Sequence, residues 1–238
     1  MRFEQRLKKI GGYVPPARWL YHLHRKQVIS HLSKDLPRFY DTIESTELAG
    51  HWWLWSGTLL GFVRDQQPLR WDDDVDFAID RKDVNLLLRS LPYLKKRGYR
   101  PKRNFLDDNG NVLGMHLVYR GIIYDFFIFD DIGSQCFQFS QFGVLNGGPV
   151  RQICDIPRQE LSSIEALGRN WPCSADLDLE LTAIYGNWRE PDPTWSYLSS
   201  PCVRVTELWY RNLDTWENID ELAQTLPTKI GNSPPDSN

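Results

Sequence analysis

Four aspartates within five residues, Asp72, Asp73, Asp74 and Asp76, restrict most strongly what this chain can form. Apolar residues follow and alternate with them, as in a strand that buries one of its two faces. On such a strand Asp72, Asp74 and Asp76 share a face, where their like charges repel. Hard divalent cations such as Mg²⁺ offset this repulsion because they bind carboxylate oxygens. We therefore predict a metal site; the alternative is an acidic turn before an ordinary strand.

The residues just upstream favour the metal site over the acidic turn. Trp52–Trp55 predicts a short aromatic strand, and Ser56-Gly57-Thr58 follows it as a turn. A short helix ending at Arg64 comes next, with Ser56 or Thr58 as its predicted cap. A helix N-terminus behind a glycine turn presents free backbone N–H groups to an anion. Ser56, Gly57 and Thr58 are therefore candidates to bind a phosphate, and Arg64 is a candidate to neutralise developing charge.

A further carboxylate lies in a predicted hairpin downstream. Residues 112–119 and 122–129 read as its two arms, joined by Arg120-Gly121. Asp125 is the charged residue in the middle of the second arm, which is otherwise nearly all apolar. An ionised carboxylate in a buried strand is costly unless it is paired or binds a metal. Asp125 is thus a candidate metal ligand or general base; the alternative is an Asp at a sheet edge, hydrogen-bonded to a loop.

Most of the remaining chain shows helical periodicity limited by glycines and prolines. Pro37 is expected to interrupt the first helix, and Pro92 to kink or break the helix after the acidic strand. Residues 130–150 lack a clear period and predict a loop with one short strand. The predicted helices are 17–36, 39–48, 83–97, a short piece within 153–164, 176–185 and 203–226, with a strand at 99–105 and a disordered tail at 231–238.

Composition narrows the class of protein. With 41% hydrophobic and 25% charged residues, the 238-residue chain is typical of a soluble globular protein. A net charge of −3 provides no basic field for nucleic acid. No apolar run approaches the roughly 18 residues of a membrane span, although the basic N-terminus would suit peripheral contact with an anionic membrane surface. The four cysteines form no C-x-x-C pair, and without a signal peptide they indicate free thiols in the cytoplasm.

Two motifs together resemble the LicD family, which includes bacterial phosphocholine transferases, fukutin and fukutin-related protein. The family pattern is Gly-[Ser/Thr]-Leu-Leu-Gly-x-x-Arg, a short gap, and Trp-Asp-x-Asp-x-Asp. Residues 56–64 and 71–76 match every position of it. Tyr124-Asp125-Phe126-Phe127 resembles the family's apolar strand with its single aspartate. Tyr185-Gly186-Asn187-Trp188 resembles the family's Tyr-Gly-x-Trp ending, except that Asn187 stands where Asp is usual.

The resemblance implies an α/β (α+β) fold: a nucleotidyltransferase-like small mixed β-sheet flanked by helices, with extra N- and C-terminal helices. It implies one catalytic domain over residues 1–238, with a core at about 44–193. Residues 1–43 would form an N-terminal helical lead, and residues 194–238 a C-terminal helix and disordered tail. A cytoplasmic location is expected, either free or at the inner face of the membrane.

The implied activity is a Mg²⁺-dependent phosphotransfer, with Mn²⁺ as a substitute metal. A phosphorylated alcohol such as phosphocholine or ribitol phosphate would move from a CDP-activated donor to a hydroxyl of a sugar or glycan acceptor. Two alternatives stay open: a nucleotidyltransferase that releases pyrophosphate from an NTP, and a non-catalytic glycan-binding relative. The implied roles are metal binding for Asp74 and Asp76, assistance by Asp72, a third carboxylate at Asp125, and contact with donor phosphates for Gly57, Thr58 and Arg64.

Overall fold

The computed structural model describes residues 31–69, 72, 74–192 and 194–209. The basic N-terminal segment, the start of the first helix, most of the predicted C-terminal helix and the predicted tail lie outside these residues. None of the described helices is long and apolar enough to cross a membrane. All four cysteines are described and none is in a disulfide, as expected.

The described part of the chain begins with short helices and strands and continues into a long run of consecutive strands. It comprises α1 (31–43), β1 (Trp53–Leu54), α2 (Ser56–Leu60), a π-helical turn (Gly61–Asp65), β2 (Asp74–Asp80), a 3₁₀ turn (Arg81–Asp83), α3 (Val84–Lys96), β3 (Arg100–Leu106), β4 (Val112–Tyr119), β5 (Ile122–Asp131), β6 (Cys136–Leu145), β7 (Gly148–Pro157), β8 (Leu161–Ala166), β9 (Arg169–Ser174), α4 (Leu177–Tyr185), a 3₁₀ turn (Tyr197–Ser199) and β10 (Val203–Leu208).

Eight of these strands form one mixed sheet in the order β1-β2-β5-β6-β7-β10, with β4 on β5 and β3 on β4. β2 and β5 run parallel, and β1 pairs antiparallel with β2. The first part of β5 pairs with β4, and its last two residues pair with β6. The remaining two strands, β8 and β9, form a separate hairpin. The predicted fold class, a mixed sheet flanked by helices, is confirmed.

The alternation predicted for the acidic strand is present in β2. Val75, Phe77 and Ile79 are buried in a core cluster that also contains the inner faces of α1 and α3. Ala78, on the opposite face, belongs to a second cluster with Trp55 of the segment before α2. Because side chains alternate along a strand, this arrangement leaves Asp74 and Asp76 on the face away from α1 and α3. The core of the protein therefore determines which way the carboxylates point.

Pro37, which was expected to interrupt a helix, and Pro92, which was expected to kink or break one, both lie inside continuous helices; the predicted interruption at Pro37 and the alternative of a break at Pro92 are therefore wrong. The helical residues 31–43 include Pro37, and α3 runs through Pro92. A proline inside a helix costs about 3 kcal/mol, because it removes a backbone hydrogen bond. Both helices bury a long apolar face, and tertiary packing rather than propensity supplies most helical stability. The buried residues on these faces are Leu32, Leu36, Phe39 and Ile43 of α1, and Leu87, Leu88, Leu91 and Leu94 of α3.

The predicted loop at 130–150 is wrong, because most of it forms the long β6–β7 hairpin. Asn146 and Gly147 make the turn, with φ of 51° and 82°, between the paired residues Leu145 and Gly148. A two-residue Asn-Gly turn with both φ positive matches the twist of the flanking strands. Phe137 and Phe139 alternate with polar residues, but Gln141 and Phe142 reverse this alternation, so the sequence pattern does not indicate a strand.

Two predicted helical segments are also strands. The short helix expected within 153–164 is replaced by the end of β7 and the start of β8. The helix predicted from Val203 is wrong over 203–208, where β10 pairs along the edge of β7. Backbone pairing with neighbouring strands determines the structure of both segments. The helical spacing of nearby residues carries no information about such pairing. The predicted helix at 176–185 is confirmed as α4, with Asp176 as its cap.

Candidate active site

The three predicted metal ligands on the acidic strand come together at its start. Asp72, Asp74 and Asp76 each present a carboxylate oxygen, and these oxygens all lie within 4.8 Å of one another. Asp72 precedes β2, whereas Asp74 and Asp76 belong to it. Asp76 is buried, and the other two are partly exposed. The cluster therefore opens toward solvent on the side of Asp72 and Asp74.

The turn before α2 supports the most buried of these aspartates. The backbone N–H of Gly57 donates a hydrogen bond to Asp76 Oδ2 at 3.0 Å. The backbone N–H of Asp76 donates to the Thr58 hydroxyl at 2.8 Å. Ser56 adopts a left-handed conformation with φ of 47°, which starts the helix immediately after β1. Together these contacts attach Asp76 to the first residues of α2.

These contacts correct the predicted helix cap. Neither Ser56 nor Thr58 caps α2 with its side chain, and the capping position is occupied by Trp55. The Thr58 hydroxyl instead accepts from the acidic strand, because the helix begins one residue after Trp55 and turns its first residues toward β2. Gly57 has no room for a side chain: a Cβ there would lie 2.4 Å from Asp72 Oδ2 and 3.2 Å from Asp76 Oδ2. Glycine thus allows the turn to approach the carboxylates.

The electrostatics of the cluster suit a bound cation. The pKa of Asp76 is raised well above its ordinary value, first by burial and then by the charges of Asp74 and Asp125. The Gly57 N–H and the Ser56 hydroxyl act in the opposite direction without cancelling this effect. A divalent cation would offset the repulsion, and carboxylate oxygens are the ligands that Mg²⁺ prefers. The donor set of three converging aspartates therefore fits the predicted metal.

Asp125 lies beside the cluster but outside this group of three. In the parallel pair of β2 and β5 it stands opposite Asp76. In the antiparallel pair of β4 and β5 it stands opposite His116. His116 Nε2 is 3.0 Å from Asp125 Oδ1. The sheet therefore carries a row of three polar side chains across neighbouring strands: His116, Asp125 and Asp76.

No role is predicted for His116 from the sequence, although the sequence holds a signal for it. Arg120 and Gly121 form a two-residue turn with φ of 51° and 85°. Counting outward from such a turn pairs Tyr119 with Ile122 and His116 with Asp125. Residues directly opposite in an antiparallel pair place their side chains on the same face. The hairpin prediction thus already contained the His116–Asp125 pair.

Arg64 connects two of the sequence motifs within the fold. Its Nε donates to Asp65 at 2.9 Å, and its Nη1 donates to the backbone carbonyl of Trp188 at 3.3 Å. The arginine side chain is largely buried, with 11% of its surface exposed. It thereby joins the π-helical turn to the Tyr185–Trp188 segment. Contact between Arg64 and a donor phosphate stays a prediction.

Tyr185 is distant from the aspartates in the sequence but lies beside them in the fold. Its hydroxyl lies 3.1 Å from the Ser56 hydroxyl. Burial raises the pKa of Tyr185 well above its usual range, and the charges of the aspartate cluster raise it further. The pKa of Tyr197 is also raised, by burial and then by Asp74. Asn187, where the resemblance expects an acidic residue, is exposed.

The fold and site together define a mixed α/β domain with a carboxylate cluster suited to a hard divalent cation. Residues 50–131 match the family described as LicD/FKTN/FKRP, nucleotidyltransferase domain. This match covers about a third of the chain and confirms the resemblance noted from the motifs. The matched residues run from Gly50 to the end of β5, so they include the aspartate cluster, His116 and Asp125.

A curated relative matches a shorter part of the chain. The "Uncharacterized protein RT0683" of Rickettsia typhi is 45% identical over 53 residues. This similarity covers 22% of the present chain and 17% of the Rickettsia protein. The present chain therefore matches less than a fifth of that relative's length, and the relative's description names no activity.

Proposed function

We propose that this protein is a Mg²⁺-dependent phosphotransferase that moves a phosphorylated alcohol from a CDP-activated donor to a hydroxyl of a sugar or glycan. The coarser part, a transferase of the kind that the LicD family contains, is supported by the family match. The metal, the donor and the acceptor are part of the proposal. We also propose that the protein works in the cytoplasm or at the inner face of the membrane.

The observation that carries this function is the convergence of three carboxylates at the start of one strand. The oxygens of Asp72, Asp74 and Asp76 lie within 4.8 Å of one another, next to a turn that has no side chain at Gly57. A surface-exposed acidic turn would spread its charges rather than bury Asp76 among them. Phosphoryl transfer depends mainly on positioning and charge stabilisation, which such a cluster provides once it holds a metal.

Each part of the site has a distinct task in this reaction. Asp74 and Asp76 would hold Mg²⁺, or Mn²⁺ in its place, with Asp72 beside them. When bound, the metal supplies charge stabilisation to the transferring phosphate. The protein itself fixes Asp76 through Gly57 and Thr58.

Proton transfer is assigned to the neighbouring carboxylate. Asp125 lies outside the group of three and next to Asp76 in the sheet. Its Oδ2 would accept the proton of the attacking acceptor hydroxyl, which makes the hydroxyl oxygen a better nucleophile. Arg64 and the Ser56-Gly57-Thr58 turn would contact the donor phosphates. Asp125 therefore acts as the general base and the aspartates of β2 as the metal ligands.

The reaction can be tested with purified protein and defined donors. The protein is incubated with Mg²⁺ and CDP-activated choline, ribitol, glycerol or ethanolamine, with and without extracted glycan, and CMP is measured. We expect metal-dependent CMP release from one donor, and its loss in Asp74→Asn. Asp80→Asn is the matched control, because Asp80 lies at the other end of β2 and forms an ion pair with Lys82 at 3.0 Å.

Three outcomes decide between the functions considered. Full activity in Asp74→Asn would contradict the proposed site. Pyrophosphate released from CTP, without CMP from any CDP-alcohol, would instead identify a nucleotidyltransferase, the activity named in the family description. A protein that binds neither Mg²⁺ nor Mn²⁺ would be a non-catalytic relative.

A further inference from the structure

We infer that His116 is a positioning residue that holds Asp125 for proton transfer and outside the metal ligands. The inference rests on the proposed function, because it assigns a task to a neighbour of the proposed general base. It starts from the row His116–Asp125–Asp76, which the register of three neighbouring strands produces.

Asp125 needs a partner at the oxygen that faces away from the solvent. Its Oδ1 is buried and makes no hydrogen bond of good geometry within the described residues. A buried, unpaired carboxylate oxygen is costly, and Asp76 across the parallel pair adds repulsion. His116 Nε2, at 3.0 Å from that oxygen, is the group in place to offset both. The strength of this contact therefore depends on the ring staying where it is.

The imidazole is itself held in place by aromatic neighbours. The ring of Phe105 on β3 meets the ring of His116 edge-on, with centroids 4.8 Å apart. Phe142 on β6 stacks on Phe105, with ring centroids 4.1 Å apart and the rings nearly parallel. Both side chains of the His116–Asp125 pair are largely buried, at 19% and 13% exposed. A fixed imidazole on Oδ1 leaves Oδ2 as the oxygen of Asp125 that is available to the acceptor.

The position of Asp125 relative to the metal ligands gives His116 its specific role. The three aspartates that converge within 4.8 Å come from one stretch of chain, and Asp125 is not among them. An oxygen paired with imidazole is less available to a metal ion. His116 thus keeps Asp125 beside the cluster as a base and does not let it become a fourth ligand.

The test compares two replacements of His116. His116→Phe keeps the aromatic contact with Phe105 but removes the nitrogen, whereas His116→Gln keeps an N–H group near the position of Nε2. Loss of a partner that orients a functional group typically costs about 10- to 100-fold in activity. We expect His116→Phe to lower kcat for CMP release at least about tenfold with the donor KM unchanged, and His116→Gln to restore most of it.

A double-mutant cycle shows whether His116 acts through Asp125. In the Asp125→Asn background, His116→Phe should cause no further loss of kcat, since the group it positions is already gone. Independent effects that multiply would overturn the inference. So would wild-type kcat in His116→Phe, or equal losses in the Phe and Gln variants.

Two further measurements do not depend on turnover. Mn²⁺ affinity, measured by calorimetry, should be at least as high in His116→Phe as in wild type, because the replacement leaves the three clustered aspartates in place; a tenfold loss would show that His116 supports a metal ligand and would overturn the inference. Long-range ¹H–¹⁵N NMR of the five histidines should show one imidazole whose resonances shift in Asp125→Asn and vanish in His116→Gln. An unshifted spectrum would refute the pair. A wild-type protein without CMP release would defeat the proposed function, and the NMR result would still decide the pair.

Discussion

Gly57 and Asp72 approach each other so closely that a Cβ on Gly57 would lie 2.4 Å from Asp72 Oδ2. The same backbone position donates its N–H to Asp76 Oδ2 at 3.0 Å. One residue of the turn before α2 thus contacts two of the three clustered carboxylates. The turn and the acidic strand therefore form a single unit, although more than ten residues separate them in the chain.

The first prediction concerns the missing side chain at this contact. Gly57→Ala should push Asp72 away from the cluster and lower Mn²⁺ affinity at least about tenfold, the usual scale for disturbing the surroundings of metal ligands. Calorimetric titration with Mn²⁺ measures this. Gly148→Ala is the matched control, because a Cβ there would meet its nearest atoms at 3.7 Å and 3.8 Å. Unchanged affinity in Gly57→Ala would show that Asp72 can move without consequence.

The second prediction isolates the hydroxyl of Thr58, which accepts the backbone N–H of Asp76. Thr58→Val keeps the volume but leaves that buried N–H without its acceptor. Such a loss costs about 1–3 kcal/mol in the free energy of unfolding. Urea denaturation gives the value, and Thr58→Ser, which retains the hydroxyl, should lose less. If the Val and Ser variants are equally stable, the hydrogen bond contributes nothing.

The third prediction tests whether α1 is part of the core despite Pro37. Phe39 is fully buried and packs on Phe77, with ring centroids 4.8 Å apart. Phe39→Ala should lower the free energy of unfolding by about 3–5 kcal/mol, as for other buried aromatic residues. Lys34→Ala, on the exposed side of the same helix, should stay within about 0.5 kcal/mol of wild type. Equal stabilities of these two variants would contradict the packing of α1.

The fourth prediction is a pH dependence of stability that arises from a residue other than the metal ligands. Burial of Glu180 in α4 raises the pKa of its carboxyl from 4.5 to about 8, and the Ser174 hydroxyl donates to it. Between these two values the folded protein holds a proton that the unfolded chain has released. The free energy of unfolding should therefore fall as the pH rises through this window, by at most about 1.4 kcal/mol per pH unit.

Glu180→Gln provides the comparison for this titration. The amide cannot release a proton, so this variant should lack the decline in stability between pH 5 and about 8. Thermal unfolding of both proteins at several pH values measures the difference. Glu165→Gln, at an exposed position, should follow the wild-type curve. The assignment to Glu180 would be wrong if Glu180→Gln kept the full decline.

The hairpin of β4 and β5 and the strand β2 were predictable, because local rules govern them. Val75, Phe77 and Ile79 alternate with polar residues, and a two-residue turn at Arg120-Gly121 joins two apolar arms. The β6–β7 hairpin carries a similar turn signal at Asn146-Gly147. It was missed because the apolar alternation that starts at Phe137 and Phe139 reverses at Gln141 and Phe142.

The candidate site also contains residues that the sequence predicts and contacts that it does not predict. Asp72, Asp74 and Asp76 were predictable from their spacing, and Asp125 from its isolation in an apolar strand. The contact of Gly57 with both Asp72 and Asp76 was not, since no sequence pattern specifies how far a turn lies from a strand. Nor was the approach of Tyr185 to Ser56, across 129 positions of the chain.

The sequence by itself determined the alternation of β2, the carboxylates on its face and the motifs shared with the LicD family, because each depends on the spacing of nearby residues. The tertiary structure decided that helices continue through Pro37 and Pro92 and that Val203–Leu208 pairs as a strand. It also placed His116 next to Asp125 and Tyr185 near the aspartates. Burial and strand pairing between distant segments outweigh local preferences at these points, and only the folded chain brings those segments together.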